Sequence, residues 1–251
     1  MRQMSWMALV SLCVLGVAST AEAAPIQLIT NGGFETGGGS FTGWTVTNQA
    51  GGSGNWFIQT GTTSPTSGFP VPAPPGPTHA AMTDQGGPGS HVLIQSFVVP
   101  VGVTSATFSF DRFIGNRAGT FSSPSSLNFN TNPNQQARVD ILTGSATPFS
   151  VAASDILLNI FQTQPGDPAT SGYTTQSTNL AAFLAAHSGE TLQLRFAETD
   201  NQFFFNFGVD NVSLLATSAV PEPTTLAVFG LMGAAGFGYV RRRLKGAPVA
   251  A

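Results

Sequence analysis

Two carboxylates in the last quarter of the chain, Glu198 and Asp200, have the residue type and spacing that could support catalysis. They lie two positions apart at the end of a predicted strand, so both side chains would share one face. A pair of carboxylic acids is the machinery of glycoside hydrolysis. Acids beside a loop are more often solvated or turn-forming, and this pair therefore supports a glycoside hydrolase as the weakest of three functional hypotheses.

The other residues that could perform chemistry are dispersed along the sequence. His79, His91 and His187 lie on separate segments, and none has a metal-ligating residue two or four positions away. The sequence contains no G-x-S-x-G, H-E-x-x-H, phosphate-loop or EF-hand pattern. We therefore predict that the protein is not an enzyme and has no catalytic residues.

Aromatic residues offer a second kind of site, because a ring can stack on a sugar while nearby amides bind its hydroxyls. Trp56 and the run Phe203, Phe204 and Phe205 are the candidate ligand contacts. Three adjacent rings at a hairpin tip cannot all face inward. At least one ring of this run should be exposed or packed under a loop, where it would either contact a ligand or anchor the loop. Trp44, at a strand entrance, is predicted to cap the core.

Short segments with alternating apolar and polar residues must position these side chains, and they predict strands. The predicted strands are 26–29, 44–47, 55–59, 91–99, 107–111, 137–141, 191–196 and 209–215. Long loops rich in Pro, Gly, Asn and Ser are expected at 60–78, 115–136 and 163–176. One short helix is expected at 180–186, capped by Thr178 or Asn179. The pattern predicts an all-β protein, a single antiparallel β-sandwich that is jelly-roll-like with one short helix.

The N-terminal segment is predicted to be a signal peptide that spans residues 1–23. Arg2 supplies the positive charge, Met7 to Ala18 the apolar region, and Ala21-Glu22-Ala23 the site for signal peptidase. The single cysteine, Cys13, lies in this segment. The exported body, residues 24–219, therefore has neither a disulfide nor a thiol ligand.

The C-terminal segment, 220–245, is predicted to be a sorting and anchor segment. Thr224 to Val240 are uncharged and would form a helix about 25 Å long, slightly short of the roughly 30 Å hydrocarbon core. The basic cluster that follows would remain in the cytoplasm together with the tail 246–251. We predict a transmembrane helix at about 224–240, with the body on the outer side of the membrane.

The order Pro221-Glu222-Pro223, apolar span, and Arg241-Arg242-Arg243 resembles a PEP-CTERM sorting segment. The resemblance implies processing by exosortase, a membrane protease-transpeptidase of Gram-negative bacteria that make exopolysaccharide. It also implies an exported protein, anchored in the inner membrane by its C-terminal helix until processing. The final location would be the cell surface or the extracellular matrix.

The charge of the body excludes one class of partner. Residues 24–219 contain four arginines, no lysine and ten carboxylates. Binding to phosphate backbones requires a basic face, so a nucleic-acid partner is not expected.

Both ends of the body resemble galactose-binding-like jelly rolls, a group that includes many carbohydrate-binding modules. The resemblance rests on the stretch from Ile29 to Glu35 with Gly43-Trp44, and on Gly208 to Leu214. In calcium-containing members, residues of the first and last strands meet around a structural ion. The resemblance implies Glu35 and Asp210 as carboxylate ligands, with Asn31 or a nearby carbonyl adding oxygen. The alternative is that both carboxylates accept backbone hydrogen bonds near strand ends.

Three functional hypotheses remain at this point. The leading one is a non-catalytic exported surface or extracellular-matrix protein, sorted by exosortase and associated with exopolysaccharide or biofilm. The alternative is a glycan-binding module with a defined sugar ligand. The weaker alternative is the glycoside hydrolase that Glu198 and Asp200 would serve.

Overall fold

A computed structural model describes residues 23–219, which form eleven strands and one short helix. In chain order the elements are β1 (Ile26–Gln27), β2 (Thr45–Asn48), β3 (Asn55–Gln59), β4 (Ala80–Asp84), β5 (Gly89–Val98), β6 (Val103–Asn116), β7 (Gln135–Thr143), β8 (Ile156–Gln162), β9 (Thr174–Asn179), α1 (Ala181–Ala186), β10 (Thr191–Asp200) and β11 (Phe205–Ser218). Residues 1–22 of the predicted signal peptide, the predicted membrane helix 224–240 and the tail 246–251 fall outside the described residues.

The strands form two antiparallel sheets that enclose one main core. One sheet has the order β3-β4-β11-β6-β9, with β1 also pairing with β11, and the other has the order β2-β5-β10-β7-β8. The successive strands β4, β5, β6 and β7 alternate between the two sheets, as in jelly rolls. The prediction of an antiparallel, jelly-roll-like β-sandwich with one short helix is confirmed.

Aromatic side chains join the two sheets at the centre of the core. Phe196 of β10 lies with its ring centroid 5.8 Å from that of Trp44, 5.5 Å from that of Phe110 and 6.5 Å from that of Phe207. Phe110 and Phe207 belong to the opposite sheet. Trp44 is 7 % exposed, in agreement with the core position predicted for it.

Three strands, β4, β8 and β9, lie outside the predicted set. The polar sequence of β9 shows no alternation because this edge strand pairs with β6 alone and leaves most of its residues exposed or half-buried. It extends to Asn179, whose Oδ1 accepts the Ala181 N–H at 2.9 Å at the start of α1. Because β9 begins at Thr174, the loop predicted to end at residue 176 ends three residues earlier.

Among residues 23–219, no helix combines the length and the apolar character that crossing a membrane requires.

Candidate functional site

The interior of the sandwich becomes polar at one end of β10. Leu192, Leu194 and Phe196 face the core, and the same period-two alternation brings Glu198 and Asp200 to that face. Glu198 is 0 % exposed and Asp200 is 2 % exposed. The expectation of solvated acids beside a loop is wrong, because β10 extends through Asp200 and keeps both side chains inside.

His91 of β5 lies beside these acids. The antiparallel register places His91 directly opposite Glu198. One ligand atom from each of His91, Glu198 and Asp200 lies within 4.8 Å of the other two. We call these three residues the His–Glu–Asp cluster.

Several acceptor atoms of the cluster have no hydrogen-bond partner. Neither carboxylate oxygen of Glu198 is bonded to any of residues 23–219, and the same holds for His91 Nε2. Asp200 Oδ1 accepts the Gly89 N–H at 3.1 Å, and His91 Nδ1 lies 2.8 Å from Asn48 Oδ1. Burying an unpartnered polar group is costly, and burying an unpartnered carboxylate is more costly still. The cluster therefore lacks a partner for its buried lone pairs.

Burial dominates the protonation of the cluster. It raises the pKa of Glu198 well above its ordinary value, and the charges of Asp200 and Asp84 raise it further. It raises the pKa of Asp200 to about 7 and lowers the pKa of His91 to about 4, against the opposing effect of the Ser53 carbonyl. The imidazole is therefore neutral at neutral pH, and burial favours the protonated form of Glu198.

A surface pocket of about 220 Å³ adjoins the cluster between the β4–β5 and β10–β11 connections. We call it the Phe203 pocket; its lining residues are Gly86, Gly87, Pro88, Asp200, Asn201, Gln202, Phe203 and Phe204. Asp200 belongs to both the pocket and the cluster. The pocket therefore lies next to the buried acids and shares one residue with them.

Of the four predicted ligand contacts, two lie at the surface and two are buried in the core. Phe203 is 52 % exposed, and half-buried Phe204 packs edge-on against Phe203 at 5.0 Å and against Phe69 at 5.1 Å. Phe205 and Trp56 are 0 % and 1 % exposed and belong to the core. A ligand can contact Phe203 and Phe204, whereas Phe205 and Trp56 present no surface to it.

The predicted calcium ligands Glu35 and Asp210 also come together. A Cβ atom placed on Gly33 would lie 3.9 Å from Asp210 Oδ1 and 3.9 Å from Glu35 Cγ. Asp210 Oδ2 accepts the Gly76 N–H at 2.8 Å. The start of the body, the loop around residue 76 and the last strand therefore meet at what we call the Glu35–Asp210 site.

Hydrogen bonds already occupy Glu35. Its carboxylate accepts the backbone N–H groups of Thr78 and His79, each at 2.8 Å, as well as the Thr78 hydroxyl and the His79 imidazole. The side-chain bonds from His79 and Thr78 lower the pKa of Glu35 to about 2. Burial raises the pKa of Asp210 to about 6, and Asp111 and Glu35 contribute to the rise. The atoms that Glu35 and Asp210 could offer to a metal are all oxygens, as calcium requires. A calcium ion would compete with His79 for the Glu35 carboxylate.

Asn31, the third predicted ligand, is also engaged. Its Nδ2 donates to the Ser40 carbonyl at 2.9 Å, and its Oδ1 accepts the Thr36 N–H at 3.1 Å. Asn31, Phe34 and Asn211 have φ angles of 52°, 57° and 49° around the Glu35–Asp210 site. A bulky residue such as phenylalanine rarely adopts this left-handed conformation, and such strain clusters at functional sites.

Sequence reasoning missed His91 as a site residue. The available signal was the alternation of β10, which continues from Phe196 to Glu198 and Asp200 and predicts two acids on a core face. The pairing of β5 with β10 could not be read from one sequence, because His91 and Glu198 are more than 100 residues apart and share no local pattern.

The C-terminal segment matches a known family model. Residues 219–243 match the PEP-CTERM protein-sorting motif. No curated protein matches the chain in sequence.

The solved structures similar to the chain are β-sandwiches of low sequence identity. A cyclase from Fischerella sp. TAU is 16 % identical with a TM-score of 0.45, covering 79 % of this chain and 100 % of the cyclase. TmCBM61, solved with β-1,4-galactotriose, is 13 % identical with a TM-score of 0.41, covering 75 % of this chain and 97 % of that protein. A structure described as CBM4 is 18 % identical with a TM-score of 0.38, covering 75 % of this chain and 99 % of that one.

The described residues thus define a class, an antiparallel jelly-roll-like β-sandwich with a polar end to its core. The chain that carries this sandwich has a PEP-CTERM sorting motif at its C-terminal end. The motif implies export and processing by exosortase.

Proposed function

We propose that the chain is a non-catalytic, exosortase-sorted protein of the cell surface or extracellular matrix whose β-sandwich binds a terminal sugar unit of a glycan in the Phe203 pocket. An exopolysaccharide of the matrix is the ligand class that this location makes available. The observation that carries the proposal is the exposed ring of Phe203 at a pocket lined with amides and backbone groups.

The Phe203 ring supplies the apolar part of a sugar site. The C–H groups on one face of a pyranose are weakly positive, and they are attracted to the negative face of an aromatic ring. Phe203 is the one aromatic residue with an exposed side chain among residues 23–219. Its packing against Phe204 holds the ring in position.

Polar groups around the Phe203 ring would orient a bound sugar by hydrogen bonding to its hydroxyl groups. Gln202 is exposed, and its Nε2 is held by Asn132 Oδ1 at 2.8 Å, which orients the amide oxygen. Asn201 holds the pocket wall in place: its Nδ2 donates to the carbonyls of Phe129 and Thr131 at 2.6 and 2.8 Å, and its Oδ1 accepts the Asn134 N–H at 2.8 Å. The pocket is smaller than the roughly 300 Å³ of the smallest typical ligand sites, so it suits one sugar ring and not a buried chain.

Other surface depressions are larger but less suited to a sugar. The depression of about 540 Å³ that contains Arg138, Asn159 and Gln162 has no aromatic residue in its lining. The one of about 350 Å³ that contains Phe161 has the Arg112 guanidinium 4.2 Å from the centroid of that ring, which covers its face. An exposed ring beside amides favours the Phe203 pocket over both.

The arrangement of Glu198 and Asp200 supports a non-catalytic role. A glycoside hydrolase places its scissile bond between two carboxyl groups, about 5 Å or more apart, that both reach the substrate. Glu198 is 0 % exposed and does not line the Phe203 pocket. A sugar bound in this pocket would reach Asp200 alone.

Replacing Phe203 by alanine should abolish most of the glycan binding without changing stability. Removing a ring that carries about 1.4 kcal/mol or more of the binding free energy weakens binding at least about tenfold. The full chain is first applied to a glycan array, and the affinity for the sugar class retained is then measured by calorimetry for both proteins.

Val101→Ala is the matched control, because Val101 is 76 % exposed and lies at the opposite end of β5. It should bind like the parent chain. The absence of reproducible binding on the array would refute the proposal, as would equal affinities for Phe203→Ala and Val101→Ala.

We further propose that calcium stabilises the Glu35–Asp210 site, where it would neutralise Glu35 and Asp210 and take the place of the His79 hydrogen bond. At free calcium 100 times the dissociation constant, the stabilisation is about 2.7 kcal/mol, which raises Tm by about 5–10 °C in a domain of this size. Thermal unfolding of the full chain in chelator, then with calcium restored, measures the shift. Glu35→Gln should remove the calcium response. A midpoint that calcium leaves unchanged would mean that Glu35 and Asp210 serve as hydrogen-bond acceptors alone.

A further inference from the structure

The His–Glu–Asp cluster contains buried lone pairs that no protein group in residues 23–219 satisfies. They belong to both oxygens of Glu198 and to Nε2 of His91, and these side chains are 0 % and 1 % exposed. We propose that the cluster binds a divalent transition-metal ion, and that zinc is the ion its ligands fit best. The proposal does not depend on glycan binding.

The donor types select the class of ion. One imidazole nitrogen and two carboxylates form a mixed nitrogen and oxygen set, which zinc binds readily. Calcium takes oxygen ligands and has little use for an imidazole nitrogen. The cluster therefore differs in its ion from the all-oxygen Glu35–Asp210 site.

The distances allow one ion to reach all three side chains. The three ligand atoms lie within 4.8 Å of one another. Zinc bonds of about 2.0–2.2 Å place the ligands of a tetrahedral ion roughly 3.4 Å apart. Side-chain rotations would therefore have to close gaps of up to about 1.4 Å. Three protein ligands leave a fourth position for water, as in zinc sites with an open coordination position.

A chain of hydrogen bonds from His91 Nδ1 through Asn48 to Asn55 orients the imidazole, so that Nε2 is the nitrogen left to bind a metal ion. His91 Nδ1 lies 2.8 Å from Asn48 Oδ1, and Asn48 Nδ2 donates to Asn55 Oδ1 at 2.8 Å. In the tautomer in which Nδ1 donates to Asn48 Oδ1, Nε2 carries the lone pair that a metal ion would take. Metal-binding histidines characteristically donate their second N–H to a carbonyl in this way.

A proton bound to the acids would satisfy the His–Glu–Asp cluster less completely than a metal ion would. A proton on Glu198 would neutralise the charge of one acid and leave that of Asp200 without a cation. An ion would neutralise both acids and satisfy His91 Nε2 at once. Because the ligands must be deprotonated, binding of the ion would release protons.

The Phe203 pocket gives the ion access. Asp200 lines this pocket with its neighbours from the β10–β11 connection, and Glu198 lies two positions further inside on the same face of β10. An ion that enters the pocket meets Asp200 first and then His91 and Glu198.

The test measures zinc binding by the metal-stripped full chain. We expect one zinc ion per chain at the cluster, determined by equilibrium dialysis and metal analysis. Glu198→Gln keeps the size of the side chain and removes its charge, and it should weaken zinc binding at least about 100-fold. Glu35→Gln should bind zinc like the parent chain, which separates this site from the calcium site.

A second variant acts without altering a ligand. Asn48→Ala removes the acceptor for His91 Nδ1 and should lower zinc affinity about 10–100-fold. Cobalt bound in place of zinc should give a visible absorption spectrum that changes in Asn48→Ala, whereas a loss of packing alone would not move it. Glu190→Gln, at the exposed His187–Glu190 pair, controls for surface histidines and should have no effect.

Either of two results would overturn the proposal. The first is that the parent chain binds no zinc at micromolar concentrations. The second is that Glu198→Gln and His91→Gln bind zinc as tightly as the parent, which would identify an adventitious surface ion. The readout requires no glycan, so failure of the glycan proposal would leave this result intact.

Discussion

Asp140→Asn is expected to lower the free energy of unfolding by about 3–5 kcal/mol, because it leaves two buried arginines without their counter-charge. Asp140 is 0 % exposed and binds Arg138 through two bonds of 2.7 Å and Arg195 through bonds of 2.6 and 3.1 Å. Burial alone would raise the pKa of Asp140, but the bonds from Arg138 and the charge of Arg195 outweigh it and lower the pKa. Urea unfolding of the full chain, followed by circular dichroism, measures the loss.

The matched control for this prediction is Asp167→Asn. Asp167 is exposed and accepts the Gln164 N–H at 2.8 Å within a surface loop, so its replacement should cost about 0.5 kcal/mol or less. Adding Arg195→Met to Asp140→Asn should restore part of the lost stability, since it removes one of the two orphaned charges. A loss below about 1 kcal/mol for Asp140→Asn would show that water reaches Arg195 and replaces its partner.

Phe196→Ala is expected to cost about 3–5 kcal/mol, the usual range for removing a buried aromatic side chain. Phe196 is 0 % exposed, and its ring lies between Trp44 and the Phe110 and Phe207 rings of the opposite sheet. Its removal leaves a cavity between the two sheets and breaks several aromatic contacts at once. The same urea unfolding experiment measures the effect.

Phe203→Ala is the matched control for Phe196→Ala. The two substitutions delete the same atoms, but Phe203 is 52 % exposed, so its removal should change stability by about 0.5 kcal/mol or less. Comparable losses for the two variants would mean that Phe203 holds the β10–β11 connection in place. In that case its part in glycan binding would no longer be separable from folding.

The position of the Phe203 pocket suits a displayed protein. The pocket lies beside Phe205, the first residue of β11, and β11 then runs to Ser218, just before the sorting motif begins. A strand of 14 residues spans roughly 45 Å at about 3.3 Å per residue. Within the sandwich, the proposed sugar site is thus at the far end from the point where the chain leaves.

Local patterns predicted eight of the eleven strands and missed β4, β8 and β9. The alternation of Leu192, Leu194 and Phe196 predicted β10, and Asn55 to Gln59 were predicted with the bounds that β3 has. The edge strand β9 was missed, because a strand that is paired on one side and largely exposed needs no apolar alternation. The run from Phe203 to Phe205 was predicted to have a ring that is exposed or under a loop, and Phe203 and Phe204 occupy those two positions.

The sequence by itself determined the C-terminal sorting motif, the acidic body and the class of fold, because each depends on composition or on short-range periodicity. The sites depended on the tertiary structure. Only the pairing of β5 with β10 places His91 opposite Glu198, and only the enclosure by the second sheet buries Glu198 and Asp200. Strand register and burial arise from contacts between residues far apart in the chain, and spacing along one sequence does not contain them.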